Sequence, residues 1–202
     1  MVLAMLCGCS SRKLFQTGTA VDLNDAAVRL SEIAGKPLRP YAAYDFGREQ
    51  NSAARSVLVD EEDAPTVLAK IRSELAPGLL AFIGCTRSLA EPSDDGWEIV
   101  VATGQNQFDI LRIAQSDAAN YDMETDDIIR KLEEFDLKFG IDIFHAESDT
   151  IEFEFKQLPE NLMAFSQDLY EFCPDIVDQG LETVENLENE IAVTGRVFLW
   201  WD

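Results

Sequence analysis

Apolar and polar residues alternate along the chain with spacings that predict a succession of helices and strands. The first half changes from a helical period to strand-like runs, and its breaks fall at glycine and proline. Its predicted elements are a helix at 22–34 between Asp22 as N-cap and Gly35, a strand at 56–59, a helix from Pro65 to the Pro77-Gly78 stop, and strands at 79–85 and 97–103. The turn-forming residues 91–96 predict a hairpin loop between the last two strands.

The second half has the clearer pattern. Its predicted elements are a strand at 108–113, a helix at 125–139, strands at 141–145 and 150–156, a helix opened by Pro159, a short helix from Thr183 to Gly195, and a strand at 196–202. This order predicts an α+β protein with a ferredoxin-like split βαβ unit, in which helices back a four-stranded antiparallel sheet. The first half either extends this sheet or flanks it as a separate layer.

These patterns divide the chain into three parts: 1–20, 21–106 and 107–202. The first part resembles the end of a lipoprotein signal peptide, in which Gly8 precedes a lipid-accepting Cys9. Its apolar stretch is short, however, and no basic n-region precedes it. If Cys9 is acylated, we expect a lipoprotein of the cell envelope that meets the membrane only through this anchor. Otherwise the sequence predicts a cytoplasmic protein with a frayed apolar end.

Negative charge is concentrated in one half. The chain has a formal net charge of -22, and residues 117–202 carry 23 Asp and Glu against 5 Lys and Arg. Such a field repels phosphate backbones, which argues against sequence-independent nucleic-acid binding, and it attracts basic proteins or cations. The same acids also serve as a common solubility device.

Few residues are available for catalysis. Two of the four cysteines lie at the N-terminus, no CxxC pair is present, and His145 is the only histidine in the sequence. The sequence therefore indicates no thiolate zinc site, and any Ser/His/Asp mechanism has to use His145. No glycine-rich spacing indicates a particular cofactor.

The C-terminal residues resemble a known family. The motifs are Phe-Cys-Pro-Asp-Ile-Val-Asp-Gln-Gly at 172–180, Leu-Trp-Trp-Asp at 199–202 and Ala-Asn-Tyr at 119–121. They resemble the bacterial family of domain of unknown function 4253 over about residues 107–202. The resemblance implies a bacterial origin and a single C-terminal unit, and it implies no reaction and no catalytic residue.

Two groups of residues are candidates for a site. The helix-to-helix loop places Asp175, Asp178 and Gln179 where they either bind a ligand or a hard cation, with Asp202 or Asp149, or cap the following turns. His145 ends a strand next to Glu147 and Asp149, which suits either a general acid or base or a structural hydrogen bond. Cys173 is a core residue or a nucleophile if His145 lies within reach.

The last strand offers a possible recognition surface. Alternation along a strand sends Trp200 and Trp201 to opposite faces of the sheet, one into the core and the other either to a partner or under the first half. Because the negative charge is concentrated in one half and no convincing catalytic set is present, we expect a non-catalytic, immunity-like module that binds a basic protein. The alternatives are a hydrolase or metal-assisted enzyme that uses His145 with Asp175 and Asp178, and an envelope lipoprotein with a structural role.

Overall fold

The computed structural model describes residues 19–43, 50–86 and 96–202. The predicted lipidation residue Cys9 and hairpin residues 91–95 lie outside these ranges. The strands are β1 (Arg39–Pro40), β2 (Ala54–Val59), β3 (Leu79–Gly84), β4 (Trp97–Thr103), β5 (Ile141–Ala146), β6 (Thr150–Phe155) and β7 (Arg196–Trp200). The helices are α1 (Leu23–Ala34), α2 (Ala64–Arg72), α3 (Asp109–Ala114), α4 (Thr125–Phe139), α5 (Leu162–Phe172) and α6 (Val184–Thr194), with a 3-10 turn at Ala119–Tyr121 and a π-helical segment at Ile176–Leu181.

Both halves of the chain contribute to one mixed sheet. Within the described residues it has seven strands in the order β1-β2-β4-β3-β5-β6-β7. The pairings are antiparallel except between β3 and β5, which are parallel. The α+β class is confirmed, and the first half extends the sheet instead of forming its own layer.

The ferredoxin-like arrangement is not confirmed. The predicted strand at 108–113 is wrong, because Asp109–Ala114 is the short helix α3. Its buried residues are Ile110, Leu111, Ile113 and Ala114, which have the helical spacing of adjacent turns and not the alternation of a strand. Residues 107–202 therefore contribute three strands, and β5 pairs with β3 from the first half.

Helices cover the two faces of the sheet unequally. Helices α1 and α2 pack on β2, β3 and β4, where Leu30, Ile71 and Ile99 are completely buried. Helices α3 to α6 cover the other face, where Phe135, Ile151 and Phe153 belong to the larger core cluster. Among the described residues, no helix is packed in this way on the second face of β5, β6 and β7. We call this surface, which presents Asp142, Glu152, Glu154, Arg196 and Phe198, the open face.

Helix ends follow the local sequence closely. Asp22 Oδ1 accepts from the Asp25 amide at 2.9 Å, and Thr183 Oγ1 accepts from the Asn186 amide at 3.1 Å, so both predicted N-caps are confirmed. Gly195 adopts the left-handed conformation that ends α6 (φ 69°).

Two predicted helix starts differ from the structure by a few residues. Glu124 and not Thr125 caps α4, since its carboxylate and that of Asp127 form a reciprocal capping box. Helix α5 begins at Leu162 behind the cap Asn161 and not at Pro159.

Arg72 bridges the junction between the two halves of the sheet. The β3–β5 ladder has one pair of Cα partners, Ile83 and His145. Before that pair, Arg72 Nε donates to the Ala81 carbonyl at 2.8 Å and Nη2 donates to the Ile143 carbonyl at 2.6 Å. Nη1 also binds both carboxylate oxygens of Asp142, at 3.0 and 2.8 Å. A guanidinium thus supplies donors where the two parallel strands do not pair.

Candidate functional site

His145 lies between two carboxylates near the end of β5. Its Nδ1 is 2.7 Å from Glu152 Oε1 and its Nε2 is 3.1 Å from Glu147 Oε1. A register shift between Ile143 and His145 turns the imidazole toward Glu152, its partner on β6, whose side chain belongs to the open face. The Trp97 ring packs against it at 5.5 Å between centroids. The histidine is only 8% exposed, so this contact shell holds it firmly.

The carboxylates determine the charge of His145. Burial lowers the pKa of this imidazole, but hydrogen bonds to Glu147 and Glu152 outweigh burial and raise the pKa to about 9. The side chain is therefore an imidazolium at neutral pH, and both of its N–H groups are donated. An imidazolium has no lone pair to accept a proton, so this geometry favours a structural cation over a general base.

Asp175 is a second buried group, and three donors converge on its carboxylate. Oδ1 accepts from the Tyr121 hydroxyl at 2.8 Å and from Gln179 Nε2 at 2.9 Å, and Oδ2 accepts from the Asp202 amide at 3.0 Å. Burial raises the pKa of Asp175, but these hydrogen bonds outweigh burial and lower it. The bond to Asp175 is also the main reason why the pKa of Tyr121 rises to about 12. The carboxylate thus ties the last residue to the α5–α6 junction.

Cys173 is part of the core. Its Sγ donates to the Trp200 carbonyl at 3.1 Å, and the residue is fully buried. Burial is the main reason why the pKa of this thiol rises to about 12. A protonated buried thiol is inert, because the thiolate is the nucleophilic form.

The remaining predicted residues divide between core and surface. Asp178 is exposed and accepts from the Tyr170 hydroxyl at 3.0 Å. Trp201 is buried against Phe172, with ring centroids 5.6 Å apart. Trp200 is partly buried on the opposite face of β7.

The structure brings together some of the predicted site residues and separates others. Asp175, Gln179 and Asp202 form one hydrogen-bonded group. His145 contacts Glu152 and Trp97 on one face of the sheet, whereas Asp175 lies at the junction that packs with the core of the other face. No three His, Cys, Asp or Glu side chains in the described ranges are arranged to hold a metal ion.

The sequence reasoning missed a third buried polar group. Glu98 in β4 is 4% exposed and accepts hydrogen bonds from the Ser56 hydroxyl and from both the amide and the hydroxyl of Thr86. The signal in the sequence was a glutamate within the apolar strand at 97–103, because a carboxylate at such a position needs donors from its neighbours.

The α5–α6 surface has a charge pattern of a different kind. Residues 157–195 contain nine Asp and Glu and no Lys, Arg or His. Asp175 is buried and the other eight reach solvent. The ion pair described in this stretch joins Asp168 to Lys131 of α4, at 2.7 Å. We call this surface, formed by α5, the π-helical segment and α6, the acidic face.

The fold and these groups define an acidic α+β protein whose buried carboxylates and histidine are satisfied by hydrogen bonds. The chain belongs to the family described as domain of unknown function (DUF4253), whose model matches residues 98–202. Neither the curated proteins nor the solved structures contain a match. None of the described helices combines the length and the apolar character that a membrane crossing requires.

Proposed function

We propose that this protein is a non-catalytic interaction module that binds a basic protein surface, in the manner of immunity proteins. The observation that carries the proposal is the acidic face, where solvent-reaching carboxylates extend over two helices without an intervening base in residues 157–195. Carboxylates of one sign on a rigid surface steer oppositely charged partners and raise their association rate.

The scaffold under the acidic face is rigid. Helices α5 and α6 pack on each other, and Leu169, Leu187 and Ile191 anchor them in the core. Asp175 fixes the junction between them through three hydrogen bonds. Because the helices are already packed, the backbone that carries the carboxylates does not have to be ordered on binding, which lowers the entropy cost of association.

The enzymatic alternative has less support. A hydrolase or metal-assisted enzyme needs His145, Asp175 and Asp178 in one cleft, but His145 and Asp175 contact groups on opposite faces of the sheet. In addition, the raised pKa values keep both side chains protonated at neutral pH. A protonated His145 cannot accept a proton as a base, and a protonated Cys173 is not a nucleophile.

The test is a matched charge reversal. Glu171 and Glu190 are exposed near the C-terminal ends of α5 and α6, where lysine suits the helix dipole. The double variant Glu171→Lys/Glu190→Lys is compared with the control Glu61→Lys/Glu62→Lys, which changes the net charge equally at exposed positions before α2. Partners are first captured on the wild-type protein and identified, and association rates are then measured for each purified partner over a salt series.

We expect the acidic-face variant to lower the association rate by about tenfold at low salt, and the control by less than about twofold. The wild-type rate should fall steeply as salt increases, because screening weakens long-range attraction. An equal effect of both variants, or a rate that ignores ionic strength, would refute the proposal.

A further inference from the structure

Strand β7 is an edge of the sheet. It pairs with β6 on one side and is the last strand in the sheet order of the described residues. An edge strand presents backbone donors and acceptors in a row that another extended chain can pair with. Which residues of β7 direct their N–H and C=O groups away from the sheet depends on which residues bond to β6.

The phase is fixed by the two ends of the β6–β7 ladder. Phe155 N–H donates to the Gly195 carbonyl at 2.9 Å, and Trp201 N–H donates to the Asp149 carbonyl at 3.1 Å. In an antiparallel ladder every second residue exchanges bonds with the partner strand. The odd-numbered residues of β7 therefore bond to β6, and Arg196, Phe198 and Trp200 direct their N–H and C=O groups away from the sheet.

Two of these three residues already have local partners. The Arg196 amide donates to Thr194 Oγ1 at 3.1 Å, and the Trp200 carbonyl accepts from Cys173 Sγ at 3.1 Å. The amide and the carbonyl of Phe198, in the middle of the strand, have no such local partner among the described residues. The N–H and C=O of one such residue form one hydrogen-bonded pair with an added antiparallel strand.

The side chain of Phe198 extends this backbone unit onto the open face. Phe198 is 50% exposed, whereas its neighbours Val197 and Leu199 on the opposite face are buried. Beside it, the Arg196 guanidinium stacks over the Phe144 ring at 5.0 Å. An exposed aromatic ring next to an unpaired N–H and C=O combines an apolar anchor with the hydrogen bonds that set the register of a partner.

We propose that an extended basic segment of the partner adds to β7 as a further strand, paired through the backbone of Phe198. This inference rests on the proposed function and names the partner's binding mode. The apolar side chains of the added segment lie over Phe198 on the open face, and the lysine or arginine side chains that alternate with them point toward α6.

Charge selects a basic segment over a second copy of this chain. Helix α6 contacts β7 and carries Glu185, Glu188 and Glu190 without any base. A second copy would bring another net charge of -22 to the same edge, and like charges repel.

The probe is a ten-residue peptide of alternating lysine and valine, and its matched control alternates lysine and proline. Both carry the same charge, but proline removes every second N–H and cannot continue a strand. Binding is measured by fluorescence anisotropy, and hydrogen exchange of the Phe198 amide in the wild-type protein reports pairing at the edge. We expect the lysine–valine peptide to bind at least about tenfold more tightly and to slow that exchange at least about tenfold.

A pair of variants separates the backbone from the side chain. Phe198→Pro removes the outward N–H while leaving the bonds to β6 intact, a position where edge strands tolerate proline. Phe198→Thr keeps the N–H and suits a strand. We expect the threonine variant to lose only the affinity that the ring contact contributes, and the proline variant to bind at least about tenfold more weakly than the threonine variant. The wild-type exchange measurement requires neither variant to fold.

The outcomes distinguish this inference from the proposed function. Equal binding of both peptides, or unchanged exchange at Phe198, overturns strand addition and leaves the proposed function to its own salt and charge-reversal test. If neither peptide binds, strand addition falls in the same way. A wild-type dimer that Phe198→Pro converts to a monomer would assign the edge to a second copy and overturn the basic segment.

Discussion

The guanidinium of Arg72 should hold the two halves of the sheet together, and Arg72→Met tests this. Methionine keeps much of the aliphatic stem but removes two hydrogen bonds to strand carbonyls and the paired contact with Asp142. Each bond from a charged donor to a main-chain carbonyl contributes about 1.5 kcal/mol. The half-exposed pair with Asp142 contributes less than about 1 kcal/mol because solvent screens it. We therefore expect Arg72→Met to lower the free energy of unfolding by about 3 kcal/mol.

The assays are urea and thermal unfolding, with hydrogen exchange as a local readout. For a chain of this length, a loss of about 3 kcal/mol lowers the melting temperature by about 6–12 °C. Amides of β3 and β5 should exchange faster, because the bridge across their junction is lost. The control is Arg130→Met, which removes an exposed arginine that pairs with Asp127 on the same helix and should change stability by less than about 0.5 kcal/mol. Equal losses in the two variants would show that Arg72 does not couple the halves.

Three further predictions concern the buried polar groups. Because the pKa of His145 is raised in the folded state to about 9, its contribution to the free energy of unfolding is complete below about pH 6.5 and is lost as the pH rises through 9. Urea unfolding should therefore show up to about 3 kcal/mol less stability at high pH, and His145→Gln should remove this pH dependence. Asp175→Asn places an amide against the Tyr121 and Gln179 donors and should lower the free energy of unfolding by about 2 kcal/mol. The control Asp178→Asn, at an exposed position, should change it by less than about 0.5 kcal/mol. Similar melting curves for the two variants would contradict a structural role of the Asp175 carboxylate. Peptide mapping after iodoacetamide treatment at pH 8 should find Cys173 unmodified in the native protein and modified in urea, because its pKa is raised to about 12 by burial, and rapid native labelling would count against a core thiol.

Local sequence signals predicted most element positions well. Asp22, Thr183 and the helix-ending glycines act through contacts within a few residues, so their effect can be inferred from spacing alone. The prediction at 108–113 was wrong because a six-residue segment with four apolar residues fits a strand and a buried helix equally.

The candidate site was less predictable, because its geometry depends on distant residues. Proximity along the chain indicated Glu147 as a partner of His145, but Glu152 becomes its second partner only through the β5–β6 register. Similarly, no local pattern shows that Arg72 meets Asp142, or that Tyr121 and Asp202 meet at Asp175. Such contacts follow from topology, which periodicity does not encode.

The surplus of solvent-reaching carboxylates has a consequence for handling the protein in acid. Near the isoelectric point of about 4.2, most of the mutual repulsion between molecules disappears. The unpaired edge at Phe198 then meets other copies without an electrostatic barrier. Colloidal stability should therefore decline on acidification before the fold itself is lost. Turbidity should develop at a higher pH in the wild-type protein than in the Phe198→Pro variant.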